Sequence, residues 1–289
     1  MQIEDFWKAL HDKAGYETPP NVHRNLYGRL LSGRLDSFYY VDVTLVVASA
    51  NLSVRRGQFD RTTWARHGLR MLDAVERAGG RASFTGFDNI ALATPPVVYT
   101  SNHMSVVDTT ILPASLLGFG DVSTVVKESL LTYPLFGRVM RAVDPISVTR
   151  RDPREDLKQV LTKGEAFLRA GRSVLIFPQA TRGPGFNPSE FNSLGVKLAR
   201  NAGVQVVPIA LKTDFQGIGK RFRDFGPLNR EKLMHIKVGT PLTVEGNGRA
   251  THEAVVSFIT DTVRSWGAEI RGQRSEIRSQ SSEVGKEPT

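Results

Sequence analysis

The sequence predicts an α/β fold with a mostly parallel sheet flanked by helices. Two observations predict it. After residue 80, short β-branched or apolar runs recur and end in turn residues: RASFTGF, PPVVYTS, RSVLIFP, VQVVPIAL and HIKVGTPL. Stretches of helical periodicity separate them, at Thr109–Leu117, Pro134–Arg141, Pro153–Ala170 and Glu190–Asn201. No internal repeat is found, and the length suits one large α/β domain or one domain with an appendage.

Taken in order, residues 1–80 read as helical. VHRNLYGRLLSGRL puts Val22, Leu26, Leu30 and Leu31 on one stripe and Arg24, Arg29 and Arg34 largely off it. A basic amphipathic helix of this kind either lies at a membrane interface or packs on its own domain. The apolar window Phe38–Val54 is interrupted by Asp42, so no spanning helix is expected. TTWARHGLRMLDAVERAGG reads as a helix with a threonine start and a Gly-Gly stop. The alternating strands and helices follow, closed by the helical pattern HEAVVSFITDTVRSWGAEI. The last stretch, RGQRSEIRSQSSEVGKEPT, is polar and is not expected to pack. The expected organisation is a helical, membrane-associating segment at 1–80, an α/β domain at 81–268 and an unpacked tail at 269–289.

The 289 residues suffice for a sizeable core, and the 40% hydrophobic and 23% charged fractions are those of a folded soluble chain. With no cysteine, disulfides, thiolate metal sites and thiol nucleophiles are excluded. The start, MQIEDFWKALHDK, carries acids and no apolar core, so no signal peptide is expected. The formal net charge is +9, and the span Lys197–Lys237 holds nine Lys and Arg against three Asp and Glu. Such a patch suits nucleic acid, anionic lipid or a phosphorylated substrate. No known nucleic-acid motif accompanies it, so nucleic acid is not expected as a partner. The other five histidines show no metal-ligand spacing, and no metal site is expected.

One histidine stands apart. His103 follows the β-branched run that ends near Tyr99, and Asp108 comes five residues later. In open α/β sheets ligands gather at the carboxyl ends of strands, which is where Asn102 and His103 fall. Positions five apart lie roughly 140° apart around a helix, so the two side chains do not share a helix face. They meet if His103 sits in a loop and a helix begins near Ser105, with Asp108 in its first turn. An aspartate bonded to one imidazole nitrogen fixes the tautomer and leaves the other nitrogen as a base. A chance or structural His–Asp pair is the alternative.

Further segments carry Lys127 and Glu128, then Arg150 after a short β-like run, then FPQATRG after an apolar strand, then VVPIAL. In order and spacing these resemble the glycerolipid acyltransferase family, typified by the 1-acyl-glycerol-3-phosphate acyltransferases. NHMSVVD matches that family's N-H-x-x-x-x-D block. VVKESLLTYPLFGRVMRAVDPISVTR is similar to its second block, FPQATRG to its F-P-E-G-T-R block and VVPIAL to its fourth. The likeness extends from about Gly86 to Ala210, and more weakly to about Pro241.

The resemblance implies a glycerol-3-phosphate acyltransferase-like fold. It also implies an enzyme, peripheral or monotopic on the cytoplasmic face of a membrane, that moves a fatty acyl group from a thioester to a lysophospholipid hydroxyl. Acyl-CoA or an acyl-carrier protein would be co-substrate, with no bound cofactor. His103 would be the general base and Asp108 would orient it. Asn102, Lys127, Arg150, Gln179, Thr181 and Arg182 would contact substrate, the arginines binding phosphate unless they form structural ion pairs. Gln179 and Ala180 depart from the family's Glu and Gly, and Asn192 stands where a lysine is common, which leaves the acceptor open. Another lysolipid or lipid alcohol, or a non-catalytic lipid-binding role, are the alternatives. KRFRDF, from Lys220 to Phe225, interleaves cations with aromatics and suits an anionic membrane, an acyl carrier or plain solvent.

Overall fold

In the computed structural model, which describes residues 1–20, 22, 35–179 and 181–271, eight strands form one mixed sheet between two helical layers. The strands are β1 (Tyr16–Glu17), β2 (Arg81–Thr85), β3 (Val98–Ser101), β4 (Val122–Lys127), β5 (Ile146–Val148), β6 (Ser173–Ile176), β7 (Val206–Lys212) and β8 (Leu233–Val238). Their spatial order is β1-β2-β8-β7-β3-β6-β4-β5. All pairings are parallel except β1–β2 and β7–β8. The mostly parallel sheet expected from the alternation of elements is therefore present. The pattern did not single out β1 or β4. The first has two residues, and the second, VSTVVK, mixes Ser and Thr into its apolar positions.

The helices are α1 (Ile3–Asp12), α2 (Asp36–Arg55), α3 (Arg61–Arg77), α4 (Asp108–Leu116), α5 (Phe136–Ala142), α6 (Pro153–Arg169), α7 (Leu194–Ala202) and α8 (Arg249–Ser265). Local chemistry sets their ends. The cap of α3 is Asp60 rather than a threonine: its carboxylate accepts from the Thr63 N–H at 2.7 Å. Asp152 caps α6 by accepting from the Arg154 and Glu155 N–H groups, with Pro153 in the first turn. α7 closes on Gly203 in the left-handed region (φ 68°).

Strand periodicity divides the core. Tyr99, Leu175, Val207 and Ile209 face α3 and α4, while Val98, Val174, Ile176 and Ala210 face α6, α7 and α8. Pro208 is tolerated in a central strand because it lies between the end of the β7–β8 ladder at Ile209 and the isolated Val206–Leu242 bridge. Residues 1–80 were expected as a segment apart. Ile3, Phe6 and Leu10 of α1, Tyr39 and Val46 of α2, and Leu69 and Leu72 of α3 instead belong to the same buried cluster as β2 and β7. Residue 80 thus marks a change of secondary structure, not of core.

α2 is long and apolar enough, by length and composition, to cross a membrane, although Asp42 argued against a span. The carboxylate of Asp42 pairs with Arg77 of α3 at 3.3 Å, on the packed side of the helix. The opposite side leaves Val41, Leu45 and Leu52 exposed. The basic amphipathic stretch 22–35 lies almost wholly outside the described residues, as does the tail from 272 onward. The first residues of that expected tail are bound: Ile270 bridges Phe186, whose N–H donates to the Glu269 carbonyl at 3.0 Å.

Candidate active site

β3 to β7 run in one direction, so their carboxyl ends share one edge of the sheet. That edge collects Asn102 and His103 after β3, Lys127 at the end of β4, Arg150 after β5, Phe177 to Gln179 after β6 and Thr213 after β7. A cavity of about 570 Å³ opens among them, lined by His103, Lys127, Arg150, Gln179 and Lys197 and by an apolar wall that includes Trp64, Leu130 and Met140. Its volume and mixed lining are those of a site for an amphipathic small molecule.

His103 and Asp108 meet as their spacing predicts. His103 lies in the loop and Asp108 is the first residue of α4, with Nδ1 2.9 Å from the Asp108 Oδ2. Oδ2 also accepts from the Met104 N–H at 2.7 Å and the Ser105 N–H at 2.9 Å. Oδ1 accepts from the hydroxyls of Ser105 and Thr213. Burial pushes the carboxyl up, but the hydrogen bond and charge of His103, with donation from Thr213 and Ser105, outweigh it and hold Asp108 below the usual carboxylate range. An ionised Asp108 makes Nδ1 the protonated nitrogen and leaves Nε2 as the basic one. The ring of Phe177 stacks on the imidazole with centroids 4.6 Å apart. A partly exposed base with a fixed ring at a cavity wall can take a proton from a bound hydroxyl.

Other expected residues divide into three groups. Gln179 is buried, and its side-chain oxygen accepts the His103 N–H at 2.9 Å. A glutamate oxygen there would accept the same bond, so this departure from the family block leaves the loop geometry intact. Asn102 is fully buried, donating to the Leu211 carbonyl at 2.8 Å and accepting from the Leu211 N–H at 2.7 Å. Its amide clamps β3 to β7, and Asn102 is not among the residues that line the cavity. Asn192 similarly donates to the Pro178 carbonyl and accepts from the Leu194 N–H, capping the entry to α7 while lining the cavity.

Lys127 and Arg150 line the cavity. Arg150 has a left-handed backbone (φ 59°), held by Asp156, whose carboxylate accepts from the N–H groups of Thr149 and Arg150 at 2.7 Å each. Burial draws the guanidinium below the usual arginine value, against the pull of Asp156.

Thr181 and Arg182 are not among the cavity-lining residues. Arg182 pairs with Asp224, and Thr181 accepts a hydrogen bond from Arg223. The two residues lie 42 positions apart in sequence, so the loop motif alone could not show which of the two roles, phosphate ligand or ion pair, Arg182 takes up in the fold. Arg182→Ala is therefore expected to lower turnover by a similar factor with phosphate-bearing and uncharged acceptors. A selective loss with the charged acceptor in parallel kinetic assays would return Arg182 to the ligand site.

The sequence reading missed Thr213, Ser105, Phe177 and Lys197. Thr213 follows VVPIALK at a strand end, the same positional signal that marked His103. Lys197 lies one turn into α7 and carried no local signal. Among the described residues no group of three or more His, Asp or Glu side chains is arranged to hold a metal ion.

Residues 81–212 match the family described as Acyltransferase, a span that runs from β2 to β7 and contains the whole cavity edge up to Thr213. A 1-acyl-sn-glycerol-3-phosphate acyltransferase of Pseudomonas aeruginosa is 30% identical over 220 residues, covering 76% of this chain and 79% of the relative. A chloroplastic 1-acyl-sn-glycerol-3-phosphate acyltransferase of Arabidopsis thaliana is 30% identical over 140 residues, 48% of this chain and 37% of the relative. The crystal structure of the 1-acyl-sn-glycerophosphate acyltransferase of Thermotoga maritima superposes with a TM-score of 0.59, covering 85% of this chain and 98% of that one at 19% identity, which shows the same fold. The His103–Asp108 pair thus sits inside a matched acyltransferase domain, and the chain belongs to the 1-acyl-sn-glycerol-3-phosphate acyltransferase family.

Proposed function

We propose that this acyltransferase moves a fatty acyl group from the thioester of coenzyme A or an acyl-carrier protein to the free hydroxyl of 1-acyl-glycerol-3-phosphate, giving phosphatidate. The observation that carries the reading is the His103–Asp108 contact of 2.9 Å at the wall of a cavity that also presents Lys127 and Arg150. The acceptor hydroxyl gives its proton to the Nε2 of His103 as its oxygen attacks the thioester carbonyl. Ionised Asp108 stabilises the imidazolium so formed. Collapse of the tetrahedral intermediate expels the thiolate, which takes the proton back from Nε2. Arg150 offers a planar fork of donors to the acceptor phosphate, and Lys127 a second cation beside it. The apolar wall receives acyl chain.

The acceptor assignment is tested with Arg150→Ala and two acceptors, lysophosphatidate and an uncharged monoacylglycerol. Loss of a charged hydrogen bond of about 1.5–3 kcal/mol is expected to lower kcat/KM for lysophosphatidate by roughly 10- to 150-fold. The uncharged acceptor should be little affected. Equal losses with both would make Arg150 a scaffold for the turn after β5 and remove the phosphate assignment.

The same reading sets the enzyme on the cytoplasmic face of a membrane as a monotopic protein, through the exposed side of α2. Deleting the first 61 residues is a poor test of this, because it strips Ile3, Phe6, Leu10, Tyr39 and Val46 from the core. Val41→Asp with Leu45→Asp alters the exposed side alone. The pair is expected to weaken sedimentation with anionic vesicles by about tenfold or more, with an unchanged melting temperature. Undiminished sedimentation would show that α2 is not the membrane-facing element.

A further inference from the structure

Beyond β7 the chain makes a closed excursion whose tip the catalytic reading does not use. Gln216 and Leu228 bridge antiparallel, and the Gly217 N–H donates to the Pro227 carbonyl at 3.0 Å. The neck is tight: a Cβ on Gly219 would stand 2.1 Å from the Phe222 carbonyl oxygen, and one on Gly226 2.0 Å from that of Gly217. Within the tip the Phe225 N–H donates to the Phe222 carbonyl at 3.0 Å. This ordered turn presents Phe222 at 65% and Phe225 at 55% exposure, with Lys220 and Arg221 exposed beside them. Lys220 and Arg221 enter no ion pair among the described residues.

The tip is braced on two sides. The Phe225 ring lies 5.0 Å from that of Tyr40 in α2, and the Tyr40 hydroxyl donates to the Gly226 carbonyl. Phe225 thereby shares a shallow groove with Val41 and Leu45, so the apolar side of α2 and the tip form one face. On the other side Asp224 pairs with Arg182, and Arg223 donates to the Thr181 hydroxyl and the Arg182 carbonyl at 3.3 and 3.2 Å. The Gly183 N–H of that loop donates to the His103 carbonyl at 3.3 Å.

Two aromatic rings held out of the protein, flanked by two cations outside any described ion pair, of which Arg221 lies over the Phe222 ring with its guanidinium carbon 5.9 Å from the centroid, and continuous with an apolar helix face, match a lipid interface in both apolar and charge character. We propose that the Lys220–Phe225 tip is a second membrane contact: Phe222 and Phe225 enter the interface of an anionic bilayer, and Lys220 and Arg221 meet lipid phosphates. Through Arg223, Asp224 and the 181–183 loop the docked tip holds the His103 edge of the sheet at a set orientation to the bilayer. The inference rests on the proposed function only in that the acceptor is a membrane lipid.

The test uses the full chain carrying Phe222→Ser, Lys220→Gln and Arg221→Gln, with vesicles of phosphatidylcholine containing about 30% phosphatidylglycerol. The expected result is an about thirty-fold weaker vesicle partition, a similar loss of transfer to vesicle-borne lysophosphatidate and transfer within about twofold of wild type to a short-chain, monomerically dissolved lysophosphatidate. In a separate Phe222→Trp variant, a lipid-borne quencher should dim emission beyond its effect on wild type. Unchanged partition overturns the proposal. So does an equal loss with the dissolved acceptor, which would assign the tip to the acyl donor or to the fold. If wild type transfers to no acceptor, the proposed reaction fails while the partition and quenching measurements still decide the membrane contact.

Discussion

Replacing His103 by alanine is expected to lower acyl transfer by about 10³-fold, the middle of the range for loss of a positioned general base. The side chain is partly exposed at the cavity wall, and its ring contacts are Phe177 and Asp108, so its removal opens the cavity without leaving a buried void. Vesicle binding should therefore stay near wild type, and the fold should persist with a lowered melting temperature because the buried Asp108 carboxylate loses its partner. Retention of Asp108 is the one source of strain, since its Oδ2 keeps the Met104 and Ser105 N–H donors but loses the imidazole. Single-turnover transfer with both substrates saturating is the deciding measurement. Transfer within tenfold of wild type would remove His103 from the chemical step.

Asp108→Asn is expected to cost on the order of 10²–10³-fold through loss of charge alone. The two backbone N–H groups that point at Oδ2 require an oxygen at that position. The asparagine carbonyl is thus fixed toward His103 as well, and the Nδ1–H keeps an acceptor. The amide nitrogen falls where Oδ1 was and donates to the Ser105 or Thr213 hydroxyl, either of which accepts as readily as it donates. Tautomer and ring orientation survive, and what is lost is the negative charge that stabilises the imidazolium. Asp108→Ala is a different experiment. It strands two buried N–H groups at about 1–3 kcal/mol each and destabilises the loop.

The same substitution carries a pH signature. The carboxyl of Asp108 is held below its unfolded value, so its contribution to stability is present above the usual carboxylate range and is lost as pH falls through the lowered native value. Wild type should melt higher than Asp108→Asn near neutrality, and the two should converge in acid. A constant difference in melting temperature across that range would show that charge on Asp108 contributes nothing to the fold.

What the sequence by itself determined is what depends on neighbours along the chain. The alternation of β-branched runs with helical periodicity announces a parallel sheet, because each strand must bury both faces and each crossover helix must return over one of them. His103 and Asp108 were legible because a loop and one helix start bring them together. Arg150 was legible as a candidate because it follows a short β-like run, at the kind of strand end where a parallel sheet gathers ligands, and Lys127 only through the likeness of its block.

What only the tertiary structure decided is which strands and loops lie side by side. β3 sits between β7 and β6, and that order spends the Asn102 amide on Leu211, brings Thr213 to Asp108 and sets Gln179 under the His103 backbone. The fold of the 217–226 excursion supplies Asp224, the carboxylate that pairs with Arg182. Sharing of one core by α1, α2, α3 and the sheet was likewise invisible. Periodicity tells which face of an element is apolar, but the partner of that face is chosen by the packing of the whole chain.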